Sequence, residues 1–516
     1  MIGDRSAISR NSEEQTTIRI RQVALGYTWT LGSRILSLAF GALTAILIPR
    51  WLGPEGYGHF SWVISVASFF VIFADLGVST STARYVAQYH ARKSEAVPLV
   101  IRDGLQLEVM FNLLFALGNW IAAPWIAKRF ASELLLWPLR FASFYIIATN
   151  LHEFVIMMLQ GLQRLDLMAI VSLAGSMVKA LLSVGLVYIG LGVIGALEGQ
   201  IAGLGLTSLL GGAILYYRFR GRTSRKGKQH LFSRQILTYG LPVMLIGISF
   251  YIYTQSDYFL IRLFQSAAQV GYYAMPLQLV TLMVFPAGAL GAAVAPMTAQ
   301  LQEEGQSPGG LLLASIRYTL ILFVPLATAL FVLARQFIKL FYGDGYLPSV
   351  PVLRIYMPFF VLFALSSILS LSMNFLGLAR QRAKVVFTAA LLKALLVIIA
   401  LPFAGIVGAA TVALVTYIGV LAMYFVIIFR YCGIKYYILF DLMGRILVPA
   451  MAMAGVMALL SAIATNFVGF GTVVLLGTLV FFGLLLALGG IRKKDWQALR
   501  RALAQRGARR ADVTSN

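Results

Sequence analysis

Apolar runs of spanning length recur along the chain from about residue 24 to residue 490, separated by short polar or glycine-rich turns. The pattern predicts about fourteen membrane-spanning helices. The first six fall at 24–48, 59–82, 104–126, 137–160, 167–189 and 192–217. The next six fall at 238–263, 271–299, 311–334, 351–376, 384–404 and 406–429, and a last pair at 445–466 and 468–490. No gap between them is wide enough for a folded soluble domain. The class expected is an all-α polytopic membrane protein.

The chain also repeats itself. Leu-Gln-Gly-Leu-Gln-Arg at 159–164 is followed by Lys179-Ala-Leu-Leu and then by Gly192-Val-Ile-Gly195-Ala. Some 213–216 residues later come Phe-Leu-Gly-Leu-Ala-Arg at 375–380, Lys393-Ala-Leu-Leu and Gly405-Ile-Val-Gly408-Ala. Gly56-Tyr-Gly is echoed by Gly271-Tyr-Tyr, and Ala87-Gln88 by Ala299-Gln300. A six-span unit re-enters the membrane from the side on which it began, so its copy has parallel orientation. The organisation predicted is an N-terminal lobe over 1–217, a basic linker over 218–237 and a C-terminal lobe over 238–430. An added helix pair over 431–490 and a basic tail over 491–516 complete it.

Composition agrees with a membrane protein: 59% of the residues are hydrophobic and only 12% charged, against about 25% in soluble chains. The net charge of +23 would suit a nucleic-acid binder, but its placement excludes that reading. With the N-terminus in the cytoplasm, roughly thirty of the 42 Lys and Arg fall in cytoplasmic segments, where they set orientation. Both termini are expected inside. The first 23 residues are polar and basic, with no apolar core before a cleavage site, so no signal peptide is predicted. Cys432 is the single cysteine, which rules out an intrachain disulfide.

A charge at the centre of a span costs about 2.5–3.5 kcal/mol and needs a partner or a wet cavity. Arg34, Lys179 and Lys393 lie nearest the midplane, and all three are cations. Thr30, Ser33, Arg34, Ser37, Gly41 and Thr44 share one face of span 1; Ser172, Gly175, Ser176, Lys179 and Ser183 share one of span 5. These stripes predict either the lining of a polar cavity or close packing through small residues. Arg317, about seven residues inside span 9, joins the cavity candidates. Asp75, Asp257 and Glu198 sit off centre, as partners for those cations or as binders of a coupling proton or sodium ion. Arg140 and Arg354 are expected to snorkel from outer ends.

Constellations of catalysis and metal binding are missing. There is no phosphate-cradling glycine loop followed by Lys-Ser/Thr, no His-Glu-x-x-His, no paired Cys and no Asp-x-Asp. No catalytic residue, metal or cofactor is predicted, and the drive expected is an ion gradient or the membrane potential rather than nucleotide hydrolysis.

Leu-Gly-Pro-Glu-Gly-Tyr-Gly (52–58), Ala-Asp-Leu-Gly-Val-Ser (74–79), Ala-Arg-Tyr-Val-Ala (83–87), Val-Gly-Tyr-Tyr (270–273) and Leu-Gly-Leu-Ala-Arg (376–380) carry a resemblance. The chain resembles the polysaccharide-transporter, or oligosaccharide flippase, family of the multidrug/oligosaccharidyl-lipid/polysaccharide exporter superfamily, over roughly residues 20–430. The resemblance implies two six-helix lobes in a V and alternating access. The cargo it implies is an undecaprenyl-diphosphate-linked oligosaccharide (an O-antigen, exopolysaccharide or capsule unit), moved to the outer leaflet of a bacterial inner membrane. Its partners would be membrane lipids, a coupling ion and the polymerase and chain-length machinery that uses the exported unit. Three other readings are weighed. A drug/cation antiporter of the same superfamily should place carboxylates at mid-depth; a peptidoglycan-precursor flippase would share the cationic cavity; a polymerase or ligase should carry a large external loop.

Overall fold

A computed structural model describes residues 4–92, 94–130, 133–220 and 232–490, with the side chains of residues 4–31, Arg34, Glu133, Ile246 and Phe440 outside the description. Most of the expected basic linker and all of the basic tail also lie outside the described residues. The described chain is helical. Its first nine α-helices are α1 (Asp4–Asp75), α2 (Val78–Ala91), α3 (Val97–Arg129), α4 (Leu136–Gly161), α5 (Leu165–Leu186), α6 (Gly192–Phe219), α7 (Ser233–Thr254), α8 (Ser256–Phe264) and α9 (Ala267–Glu303). Six more follow: α10 (Gly309–Val332), α11 (Ala334–Phe341), α12 (Val350–Phe375), α13 (Ala379–Cys432), α14 (Tyr437–Leu459) and α15 (Phe467–Ala487).

Among the described residues, eleven helical stretches are long and apolar enough to cross a membrane. Three of them, of 41, 55 and 54 residues, far exceed the ~20 that one crossing needs. Each is broken by glycine at positive φ: Gly53 (69°), Gly190 and Gly192 (95° and 55°), and Gly405 (57°). The last two are the glycine turns read from sequence between spans 5 and 6 and spans 11 and 12; Gly53 falls in the gap expected between spans 1 and 2.

The helices are turned inside out relative to a soluble bundle. On α3, Leu113, Leu117, Ile121 and Trp125 recur at every fourth residue and are 57–70% exposed, while Asn112, Asn119 and Glu108 on the opposite side are buried. Lipid satisfies an apolar exterior, and the interior can then hold polar groups that bond to one another. Asn119 Nδ2 donates to the Leu139 carbonyl (2.8 Å) and to Ser143 Oγ (2.9 Å), which ties α3 to α4.

Two compact units make up the chain. Residues 1–282 and 386–412 form the first, residues 283–385 and 413–516 the second, so the division falls within α9 and α13. In the first unit, Val86, Val100, Phe154, Met158 and Ile236 belong to one buried apolar cluster joining α2, α3, α4 and α7. α5 and α6 pack through small residues. A Cβ on Gly199 would lie 2.1 Å from the Ser183 amide nitrogen, and one on Gly203 would lie 2.4 Å from Lys179 Cβ. In the second unit, rings fill the spaces between helices: Phe323 on α10 meets Phe360 on α12 at 5.1 Å, and Phe359 meets Tyr417 on α13 at 4.9 Å.

The repeated glycines read from sequence meet each other. A Cβ on Gly58 would lie 1.8 Å from the Ala267 carbonyl oxygen, and one on Gly271 would lie 1.9 Å from the Pro54 carbonyl oxygen. α1 and α9 therefore touch backbone to backbone, as small-residue crossings in membranes do. Gly271→Val is expected to destabilise the protein by more than an ordinary point change, about 3 kcal/mol or more. Thermal melting of the purified variant, or its yield in membranes, checks this.

Two expected spans are broken rather than continuous. Span 2 was expected to run unbroken over 59–82, but the helix stops at Asp75, Leu76 (φ 48°) and Gly77 (φ 73°) take left-handed conformations, and α2 restarts at Val78. The Asp75 carboxylate accepts from the amides of Gly77 and Ser79, both at 3.0 Å, offering the backbone an alternative to the helix. Span 7, expected over 238–263, is interrupted at Gln255 (φ −116°) between α7 and α8. The carbonyls of Tyr253 and Gln255, freed at that helix end, accept from Lys393 Nζ and from Ser65 Oγ (2.8 Å).

Candidate functional site

The first unit encloses a polar pocket of about 240 Å³. Thr44, Tyr57 and Ser61 reach it from α1, Tyr145 from α4, Lys179 from α5, Gln200 from α6, Gln255 and Tyr258 from the α7–α8 break, and Gln278 from α9. Three amides, three phenols and two hydroxyls thus surround one cation, and no carboxylate is in the lining. Gln255 Oε1 is buried without a hydrogen-bond partner among the described residues. Such an orphan costs about 1–3 kcal/mol unless a ligand or water meets it.

Lys179 is the charged group of this pocket. Its stem passes against Gly203, and no ion pair is recorded for it among the described residues. Its charge is felt by His152 of α4. Of the small residues that share its stripe, Gly175 and Ser183 are buried against α6, with Ser183 Oγ donating to the Ala196 carbonyl at 3.2 Å. The stripe therefore packs helices along most of its length and opens to the pocket at the lysine.

Lys393 has a different setting. It was expected in the cavity wall; instead it is 2% exposed and absent from the pocket lining. Its Nζ donates to Asp257 Oδ2 at 2.7 Å and to the Tyr253 carbonyl, and it stands 4.7 Å above the Tyr253 ring. Tyr273 Oη also donates to Asp257 Oδ2. A charge at that depth is tolerated because its counter-charge, on the break of α7–α8, is as buried as it is. Asp257 is thereby paired with a cation. Gln255 and Tyr258, which line the pocket, flank this pair in sequence.

The remaining candidates are dispersed. Arg317, in the second unit, is partly buried, with its guanidinium 5.0 Å from the Tyr318 ring and Nη2 donating to the Tyr318 hydroxyl at 3.2 Å. Glu198 is partly exposed on α6. Arg34 lies on α1, and its side chain is outside the described residues. Arg140 lies between the rings of Trp120 and Trp137, at 5.3 and 5.4 Å, as an arginine near an aromatic belt does.

Asp75 belongs to a polar network that sequence reasoning missed. Ser79 Oγ donates to Glu108 Oε2 (3.4 Å), Asn112 Nδ2 to Glu108 Oε1 (3.1 Å), and Asn150 Nδ2 to Asn112 Oδ1 (2.8 Å). Glu108 is fully buried. The signal was available: Glu108, Asn112 and Asn119 lie at helical spacing on one face of an otherwise apolar span. The amides and phenols of the pocket gave no such signal, because they come from five separate helices and the α7–α8 break.

One family profile matches the chain, and solved structures share its fold. Residues 47–351, well over half of the chain, match the family profile described as polysaccharide biosynthesis protein. Lsg locus putative protein 1 of Haemophilus influenzae is 26% identical over 269 residues, 50% of this chain; the match spans 63% of that relative's length. The lipid II flippase MurJ shares the fold at a TM-score of 0.73 and 15% identity, over 90% of this chain and 99% of its own. A multidrug resistance MATE family transporter of the MOP superfamily shares it at a TM-score of 0.63 and 16% identity, over 77% of this chain and 94% of its own.

Proposed function

We propose, from the premise that this chain belongs to the polysaccharide biosynthesis protein family, that it is a flippase for a lipid-linked oligosaccharide. The solved proteins that share its fold are transporters and flippases. The observation that carries the proposal is the pocket with one lysine, unpaired among the described residues, and a wall of neutral hydrogen-bonding groups. A diphosphate is anionic and pays heavily to leave water, and a fixed ammonium inside the protein offsets that cost. Amides and phenols suit the hydroxyls of a sugar, offering both donors and acceptors and flat rings to stack upon. At about 240 Å³ the pocket is smaller than a typical site for a drug-sized ligand, ~300–1,000 Å³, so it grips one part of the headgroup while the polyprenyl chain stays in lipid.

The cargo proposed is an undecaprenyl-diphosphate-linked repeat unit, moved from the inner to the outer leaflet of the inner membrane by alternating access. Both termini are placed in the cytoplasm on the strength of the Lys and Arg distribution. The drive is an ion gradient or the membrane potential, and the polymerase and chain-length machinery would take the exported unit onward. A carboxylate-free pocket wall favours an anionic cargo over a cationic drug, which would seek an acid there. Depleting the protein tests the proposal: a lipid-linked oligosaccharide should build up on the cytoplasmic face. Unchanged surface polysaccharide with no such intermediate would refute it.

Gln255→Leu separates binding from stability. Removing a buried, unpaired amide oxygen is expected to leave the melting temperature unchanged or higher. Export of the saccharide should fall several-fold, read as surface polysaccharide per molecule of protein.

A further inference from the structure

A second hollow, of about 360 Å³, lies at the C-terminal ends of α3 and α8, where Phe130, Leu263 and Phe264 share the wall with polar side chains. Arg129 and Phe130 form one side, and Arg262 with Gln265 and Ser266 forms the other. All belong to the first unit. This end of the unit also holds the Gly405 turn, whose Cβ would lie 3.0 Å from Gln265 Nε2. The two arginines come from elements more than 130 residues apart in sequence, yet open into one space whose lining includes no carboxylate.

Two cations gather in one hollow at a cost unless an anion joins them. The acid that acts on Arg262 is Glu55, which is 79% exposed and paired with His59 at 3.8 Å. Stabilisation of helix C-termini accounts for only part of the arrangement. Arg262 Nη1 donates to the Gln265 carbonyl at 3.2 Å, but its Nε is buried with no partner among the described residues. Arg129 is exposed, standing 6.0 Å from the Phe130 ring. A planar guanidinium with a spare N–H, a second arginine lining the same hollow, and the amide of Gln265 and hydroxyl of Ser266 beside them match the oxygens of a phosphate.

We propose that this hollow is a second anion site, binding a phosphate-type group. The flippase reading supplies only its side of the membrane: α3 and α8 end on the outer face, so the ligand is a phosphate emerging in the outer leaflet. That phosphate belongs either to the transported headgroup or to an anionic lipid. Full-length protein in phosphatidylcholine nanodiscs, titrated with inorganic pyrophosphate by calorimetry, tests it. Binding should persist in Lys179→Met, and in that background Arg262→Gln or Arg129→Gln should weaken it about tenfold while Arg262→Lys keeps most of it. Should Arg262→Gln fail to fold, the exposed position of Arg129 carries the test alone. Phosphatidylglycerol in the disc that displaces pyrophosphate identifies a lipid headgroup as the occupant; no displacement points to the transported diphosphate. Binding that vanishes in Lys179→Met overturns the second site while favouring the flippase reading. Affinity unaltered by the arginine variants overturns the second site alone.

Discussion

Lys393→Met is expected to cost about 3–5 kcal/mol of stability, enough to abolish accumulation of a marginally stable membrane protein. The reason is what it leaves behind. Asp257 is completely buried, and its Oδ2 receives both the ammonium and the Tyr273 hydroxyl. Without the lysine, a carboxylate stays inside the bundle with the Tyr273 hydroxyl as its one side-chain donor among the described residues, and the Tyr253 carbonyl loses the ammonium as well. Methionine fills the volume of the lysine stem, so the loss reports charge and hydrogen bonding rather than a cavity. The companion change discriminates further. Asp257→Asn together with Lys393→Met removes both charges and should recover most of the melting temperature, since replacing both members of a buried pair is far cheaper than replacing one. Melting curves of both single variants and the double in one detergent complete the cycle. If the pair is structural, the double variant regains stability whatever its transport. A double variant as unstable as Lys393→Met would show that the break at Gln255 needs the charges themselves.

The repeat made Lys179 and Lys393 equivalent on paper, and their environments differ completely. Spacing places both lysines at the same depth of related helices, because depth follows from residue count along a helix. What neutralises a charge depends on residues distant in sequence, and Asp257 lies 136 positions from its lysine. The glycine turns were legible for a local reason: a tight reversal between spans needs backbone that only glycine adopts freely, and Gly192 and Gly405 mark it in the chain itself. The breaks at Leu76–Gly77 and at Gln255 were not legible from hydropathy, which averages over a window and runs across them. Local chemistry came closer. An aspartate two residues before a glycine, as at Asp75, is the kind of side chain that competes with a helix for backbone amides. The pocket was half visible: its one charge stood out, whereas Tyr57, Tyr145, Gln200 and Gln278 read as ordinary polar positions until the fold brought them together.

Lys179→Met should reduce export by about 10- to 100-fold with little change in protein level. The two halves of that expectation come from different atoms. The stem of Lys179 lies against Gly203, and methionine preserves that packing, so α5 and α6 keep their close approach. The ammonium reaches the pocket, and no carboxylate among the described residues depends on it for neutralisation. Removing it relieves the cost of holding a charge away from bulk water, so the melting temperature should hold or rise. What is lost is a charge-assisted bond to an anion, worth about 1.5–3 kcal/mol, and the range of fold-change above is that energy converted at about 1.4 kcal/mol per decade. Lys179→Arg should restore part of the export, because the charge returns on a longer, planar group that fits the pocket less well. The opposite responses of the two lysines make the comparison decisive: export falls at unchanged stability for Lys179, and stability itself falls for Lys393. Full export by Lys179→Met would remove the diphosphate from this pocket and leave its amides and phenols to a neutral ligand.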